Sequence, residues 1–475
     1  MLCATIVAQD PPQQSVAASR PLITQSIDES QRITLSGNTH PLARPEFDLG
    51  TAAASLPIKR MLLVLKRSPE QETALRRLLD DQQDKTSANY HHWLTPEQFG
   101  QQFGPSDVDL QTITAWLQSQ GFEVGSTKGR TVLEFSGSAS QVQDAFRTTI
   151  HNYLVNGEQH WANATDPQIP AALAPAVAGL ASLNDFPRKA MSRPFGQFIR
   201  DRSTGKLTGN PLFTYPGGCD KDGNCYALGP YDFAMIYNLL PLWNAGTSGQ
   251  GQTIAIVGES NIKLQDVTDF RSMFGLAAKG FPANNVTTIL NGPDPGLQPD
   301  ESEADIDTQW SGAVAPNATI DFVVSESTES TAGIDLSAVY IVENNLAPVM
   351  SESYGFCELG LGTSGNQFFS NLWQQAAAQG ITVFISSGDS GAAGCDNNQG
   401  NTPQPAQFGL AVSGYASTPY NVAVGGTDFN DLQNPSTYWR THSAGLHDAG
   451  DSPGLHSGDH MERFLHKRRS GHSRI

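Results

Sequence analysis

The segment "TIAIVG" (residues 253–258) is a short uncharged run that is apolar after its first threonine. At six residues it is too short for a buried helix and reads as a strand covered on both faces. Four further segments repeat the theme: "TIDFVVS" (319–325), "APVMSESYG" (347–355), "ITVFISSGDSG" (381–391) and "NVAVGGT" (421–427). Between them lie helical stretches such as "GNQFFSNLWQQAAAQG" (365–380). Apolar strands alternating with helices predict an α/β fold, a parallel sheet flanked by helices on both faces.

Upstream the pattern differs. "RMLLVLKRS" (60–68) reads as a strand, and "PEQETALRRLLDDQQD" (69–84) follows with apolar residues at helical spacing and acids in its first turn. "TPEQFGQQFG" and "SDVDLQTITAWLQSQG" predict two more helices, the second capped by Ser106. "FEVGSTKGRTVLEFSGS" reads as two strands around a glycine turn, and "ASQVQDAFRTTIHNYLVNG" as a helix running into a strand. Residues 30–186 are thus expected to form a mixed α+β domain. Residues 187–228, beginning "PRKAMSRPFGQFIRDRSTGKLTGN", are basic and rich in Gly, Ser and Pro. They read as a linker whose Lys and Arg side chains are open to proteolysis. The parallel-sheet domain is expected over 229–439.

With 475 residues the chain has room for two or three cores. A formal charge of −18 argues against nucleic acid or anionic lipid as partner, because phosphate is held by clustered Lys and Arg. No run approaches the length of apolar sequence that a membrane span needs. The terminus "MLCATIVAQDPPQQ" reads as the rear of a secretory signal followed by a polar leader, over residues 1–29. Secretion would remove Cys3 and favour disulfides among the remaining four cysteines. Their simplest pairs are Cys219 with Cys225 and Cys357 with Cys395, although sequence alone does not fix the connectivity.

Five carboxylates, Asp300, Glu301, Glu303, Asp305 and Asp307, stand immediately before the small apolar "SGAVAP". In a helix over 299–312, Glu301 and Asp305 project from one face and repel. One reading is a solvated acidic helix start, which the helix dipole tolerates; the other is a pair of acids sharing a site. Histidine usage bears on the choice. The chain has 11 His, yet none lies between Phe186 and Trp439, so no Ser-His-Asp or Cys-His arrangement can be built there. A general base in that domain must be a carboxylate, Lys or Tyr, and paired acids can raise one another's pKa enough to serve. Asp389, in the Gly-flanked "SSGDSG", follows a strand's carboxyl end, where α/β sheets bind ligands; an ordinary capped turn is the alternative.

"NYHHWLTPEQFGQQFG", "GQTIAIV", "ESEAD" before "GAVAP", "SESYG", "SSGDSG" and "NVAVGGT", in that order, resemble the sedolisin or kumamolisin family of serine-carboxyl peptidases (S53) over roughly residues 30–439. The resemblance implies a subtilisin-like catalytic domain preceded by a ferredoxin-like activation prodomain. That prodomain assists folding and blocks the cleft as an intramolecular inhibitor. It implies protein or peptide substrates and a calcium ion held near the family's carboxyl terminus. By position it assigns Glu301 as the base, Asp305 as the acid that orients and tunes it, and Asp389 as a protonated acid donating to the oxyanion.

The nucleophile departs from the pattern. The family carries it in a Gly-Thr-Ser segment well after the equivalent of "GGTDF". The two such triplets here end at Ser248, in the loop before the first sheet strand, and at Ser364, which reads as an N-cap. From Arg440 the sequence becomes "RTHSAGLHDAGDSPGLHSGDHMERFLHKRRSGHSRI", with six of the 11 His. This tail, 440–475, reads as out-of-frame text. Shifting by one base turns Met461-Glu462 into a Trp codon and permits Y-I-P-E-T-T-W-N-D-S-C-T-N over 455–467, a string similar to the family's segment ahead of its serine. The expectation is a secreted, acid-acting endopeptidase precursor whose written sequence lacks the serine and the calcium ligands and is inactive. The alternatives are a non-catalytic extracellular binding protein on the same fold, and acids serving only as a metal site or solvated surface.

Overall fold

The computed structural model describes residues 19–190, 196–200, 207–211, 229–396 and 405–427. In the first domain, strand β1 (Pro57–Leu65) is followed by helices α1 (Pro69–Gln83), α2 (Pro96–Phe103) and α3 (Asp107–Ser119). Strands β2 (Glu123–Val124) and β3 (Val132–Ser138), helix α4 (Ala139–Phe146) and strand β4 (Val177–Leu180) complete its main layer. The strand order is β2-β3-β1-β4 with every pair antiparallel, which is the ferredoxin-like arrangement. A second antiparallel sheet joins Asp48–Thr51, Ile150–Val155 and Glu158–Asn163. Each helix start is written locally. Ser68 with Gln71, Thr95 with Gln98, Ser106 with Asp109 and Ser138 with Gln141 all form reciprocal capping boxes.

The continuous apolar text of β1 has a structural cause. Met61, Leu63 and Leu65 face the domain's own core with Trp116, Leu117 and Phe146. Leu62 and Val64 point the other way, into a core shared with the second domain. Successive strand residues alternate faces, so a strand apolar at every position must be covered twice; here the second cover is another domain.

That domain is built on a six-stranded sheet, all pairs parallel. Its strands are β5 (Thr253–Gly258), β6 (Val286–Leu290), β7 (Thr319–Val324), β8 (Val349–Glu352), β9 (Thr382–Ser386) and β10 (Val422–Val424), in the order β6-β7-β5-β8-β9-β10. Helices α5 (Leu264–Met273), α6 (Glu301–Val314), α7 (Gly333–Glu343) and α8 (Glu358–Ala378) lie between the strands. Ala255, Val257, Val323 and Met350 pack with α7 and α8, and Ile256, Phe322 and Val324 pack on the opposite face near Val267 and Ala304. "TIAIVG" is thus buried on both faces, as its composition predicts. At the last described strand, Val422 and Val424 stay exposed. No helix of the described residues is long and apolar enough to cross a membrane.

The first domain sits on α7 and α8. Glu343, last in α7, accepts the backbone N–H of Lys128 at 2.6 Å and of Gly129 at 3.0 Å. Gln375 of α8 accepts from Thr131 at 2.6 Å, and Arg67 donates to Gln374 at 2.7 Å. Helix α8 also corrects a sequence expectation. It begins at Glu358 with Cys357 as N-cap and runs through a kink at Gly362, where φ is 66°. Gly362 divides two helical pieces, and Ser364 lies in the first turn of the second, where its hydroxyl donates to Asn38 of the first domain at 2.7 Å instead of capping. The linker expectation also changes. Arg188 is buried, and Lys189–Ala190 pairs antiparallel with Tyr354–Gly355.

Candidate active site

All the sequence-predicted acids of the second domain stand at one edge of the sheet. In a parallel sheet every strand's carboxyl end faces the same way, so the segments leaving β5, β6, β8 and β9 gather there. β5 leads to Lys263 and Asp266 at the start of α5. β6 leads to α6, which opens with Glu301. β8 runs into Ser353 and Tyr354. β9 leads through Gly388, at φ 96°, to Asp389.

The expected helix over 299–312 is observed as Glu301–Val314, so Glu301 and Asp305 are one turn apart on one face. Asp266 reaches the same point from α5, and one carboxylate oxygen from each of the three lies within 4.8 Å of the others. Lys263 Nζ bonds to Glu301 Oε1 at 3.2 Å. Burial, reinforced by Asp266 and Glu301 and opposed by Lys263, pushes Asp305 up from 3.8 to about 7. It therefore keeps a proton that an isolated aspartate has lost.

The other acids of the cluster face away from this trio. Asp300 accepts from the Tyr354 hydroxyl at 2.5 Å, and Asp307 accepts from Ser353 Oγ at 2.7 Å. Burial, then the neighbouring Glu303, drives the Asp307 carboxyl well above the ordinary range. The five carboxylates that look alike in sequence thus separate by helical phase. Two face α5, Asp300 and Asp307 fasten α6 to the turn after β8, and Glu303 is buried beside Asp307.

Asp389 is exposed as a residue, yet its carboxyl is enclosed enough for desolvation to raise its pKa. Its loop is tethered. Cys395, six positions beyond, is disulfide-bonded to Cys357 at the N-cap of α8, with Cα atoms 5.0 Å apart. That pairing matches the sequence expectation, whereas Cys219 and Cys225 lie outside the described residues. Ser248 is buried and accepts from Asn317 Nδ2 at 2.7 Å, so its hydroxyl serves a turn.

Sequence reasoning missed Asp266 and Lys263. The available signal was an acid in the first turn of the helix that follows β5, at the same strand edge as Asp389. The trio is a group that could hold a metal ion. Three carboxylate oxygens fall short of the six to eight that calcium takes, and an ammonium already bonds one of them, so the set suits proton transfer better than calcium.

Comparisons with known proteins agree with this geometry. The family model described as "Pro-kumamolisin, activation domain" matches residues 47–186, and the model described as "Subtilase family" matches 287–451. Sedolisin from Pseudomonas sp. (strain 101) is 29% identical over 374 residues, covering 77% of this chain and 59% of its own. Xanthomonalisin from Xanthomonas sp. (strain T-22) is 29% identical over 457 residues, covering 89% and 52%. Kumamolisin from Bacillus sp. (strain MN-32) is 23% identical over 406 residues, covering 84% and 67%. The chain thus spans a little over half the length of the first two relatives. An activation domain of the pro-kumamolisin type, a subtilase-type parallel sheet and three relatives of one kind converge on the sedolisin (S53) family of peptidases, which this chain resembles along most of its length.

Proposed function

We propose that this chain is the precursor of a secreted endopeptidase that hydrolyses peptide bonds of proteins in acid through a Ser-Glu-Asp mechanism, with its first domain as intramolecular inhibitor. The observation that carries the reading is the trio Asp266, Glu301 and Asp305. It brings three carboxyl groups together at the sheet's carboxyl edge in a domain whose sequence offers no histidine base before residue 440. In this reading Glu301 takes the proton as the serine oxygen attacks the scissile carbonyl. It returns that proton to the amine as the C–N bond breaks, and water repeats the sequence on the acyl-enzyme. Asp305 holds its own proton and orients Glu301. Asp389, neutral in acid, donates to the oxygen that gains charge. The first domain supports the inhibitory role by covering α7 and α8 and by leading into a strand paired with Tyr354–Gly355.

Ser248 and Ser364 are engaged in structural bonds, so neither suits the nucleophile. We assign the serine, and the family's calcium ligands, to the reading frame that a one-base shift opens ahead of residue 455, and the protein as written is then inactive. The test is to read the nucleotides from codon 430 past the stop and to express the frame that continues through W-N-D to a Gly-Thr-Ser helix. That protein is expected to digest denatured protein near pH 4, and Glu301→Ala to lower the rate by roughly 10²- to 10⁴-fold. Hydrolysis by the uncorrected chain that Glu301→Ala leaves untouched would overturn the assignment.

A further inference from the structure

The buried contact between the domains gathers one guanidinium and three carboxyl groups that the catalytic reading does not use. Arg188, from the end of the first domain, is 7% exposed, and its Nη2 lies 3.2 Å from Asp335 Oδ2. Its guanidinium carbon lies 5.0 Å from the centre of the Phe356 ring. Tyr415 donates to the other Asp335 oxygen at 2.5 Å. Two more acids act on the same guanidinium. Glu259 accepts from Ser327 at 2.6 Å, and Glu352 is 1% exposed with neither carboxylate oxygen hydrogen-bonded. Burial raises the Glu352 carboxyl well above the ordinary range, and the neighbouring Arg188 opposes that rise.

The place of this nest in the sheet is informative. Glu259 follows β5 directly, and Glu352 ends β8. These strands are neighbours, yet the chain leaves β5 toward β6 on one side and β8 toward β9 on the other. Adjacent strands whose connections diverge open a crevice at their carboxyl ends, the usual position of a ligand in such sheets. The chain that delivers Arg188 continues as Lys189–Ala190, bonded antiparallel to Tyr354–Gly355, so it is bound as an added strand in the manner of a peptide.

We propose that Glu259, Asp335, Glu352 and Tyr415 form a guanidinium-binding pocket of the second domain, filled here by Arg188 and open, once the first domain departs, to an arginine side chain of a bound peptide. The pocket stands on the contacts above; that a peptide brings the arginine rests on the peptidase reading. A planar delocalised cation fits because one wall is the face of Phe356 and the acceptor is a single carboxylate already fixed by Tyr415. A divalent ion would gain nothing from the ring.

The full-length chain carrying Arg188→Ala tests this with N-acetyl-argininamide, methylguanidinium and calcium as separate probes. At about five times its dissociation constant, either guanidinium probe is expected to raise the variant's Tm by about 1–2 °C, and to leave wild type and Arg188→Ala/Glu352→Gln unmoved. If Arg188→Ala does not fold alone, the same probes must restore its folded yield. No shift and no rescue, an equal shift in all three proteins, or stabilisation by calcium alone would each overturn the pocket. The readout needs no cleavage, so its failure is distinct from failure of the peptidase reading.

Discussion

Arg188 and Asp335 form an ion pair across the domain boundary, Nη2 to Oδ2 at 3.2 Å, with side chains 3% and 1% exposed. Removing one partner strands the other charge in the interior. Asp335→Ala in the full-length chain should therefore cost about 3–5 kcal/mol, with the double variant Arg188→Ala/Asp335→Ala costing less than the sum. Urea unfolding measures both, and strict additivity would show that the pair is not coupled.

Stability should fall as pH rises. Asp305 is pushed from 3.8 to about 7 by burial, Asp266 and Glu301, and Glu259 from 4.5 to about 7 by burial and Asp300. A carboxyl with a raised folded pKa binds more protons folded than unfolded. Its contribution is thus complete below the unfolded value and is lost as pH climbs to about 7. Wild type should have a lower Tm at pH 8 than at pH 4, and Asp305→Asn, always neutral, should flatten part of that slope. Identical slopes in calorimetry would contradict the assignment.

The Cys357–Cys395 bridge closes a separation of 38 residues and ties the loop after Asp389 to the start of α8. Cys357→Ser/Cys395→Ser should lower stability by about 2–4 kcal/mol. In the corrected full-length frame it should reduce kcat more than KM, because the loop positions Asp389 and leaves most peptide contacts in place. An unchanged kcat would mean the tether serves stability alone.

Ser364→Ala separates docking from chemistry. Losing its bond to Asn38 leaves a buried acceptor, so the full-length chain should lose about 1–3 kcal/mol. The corrected enzyme, once its first domain has been removed, should keep full activity. Loss of activity there would reinstate Ser364 as nucleophile.

Local pattern carried much of this protein. The cap at Ser106, the strand read within 60–68 and the strand at 253–258 covered on both faces are legible because each depends on residues a few positions apart. Order along the chain also pointed to a mixed domain followed by a parallel-sheet domain and to the bridge between Cys357 and Cys395, whereas roles for the acids at 301, 305 and 389 came only from the family resemblance. Tertiary structure decided what no periodicity encodes. Asp266 and Lys263 join Glu301 because a crossover from β5 carries α5 to the side of α6, whereas Asp300 and Asp307 are drawn to Tyr354 and Ser353. Arg188 reads as linker but is buried, because the acids that hold it come from β5, α7 and β8, far apart in sequence. Helix and strand propensity are short-range properties of the chain; the meeting of charges at the end of a sheet depends on how its strands are ordered.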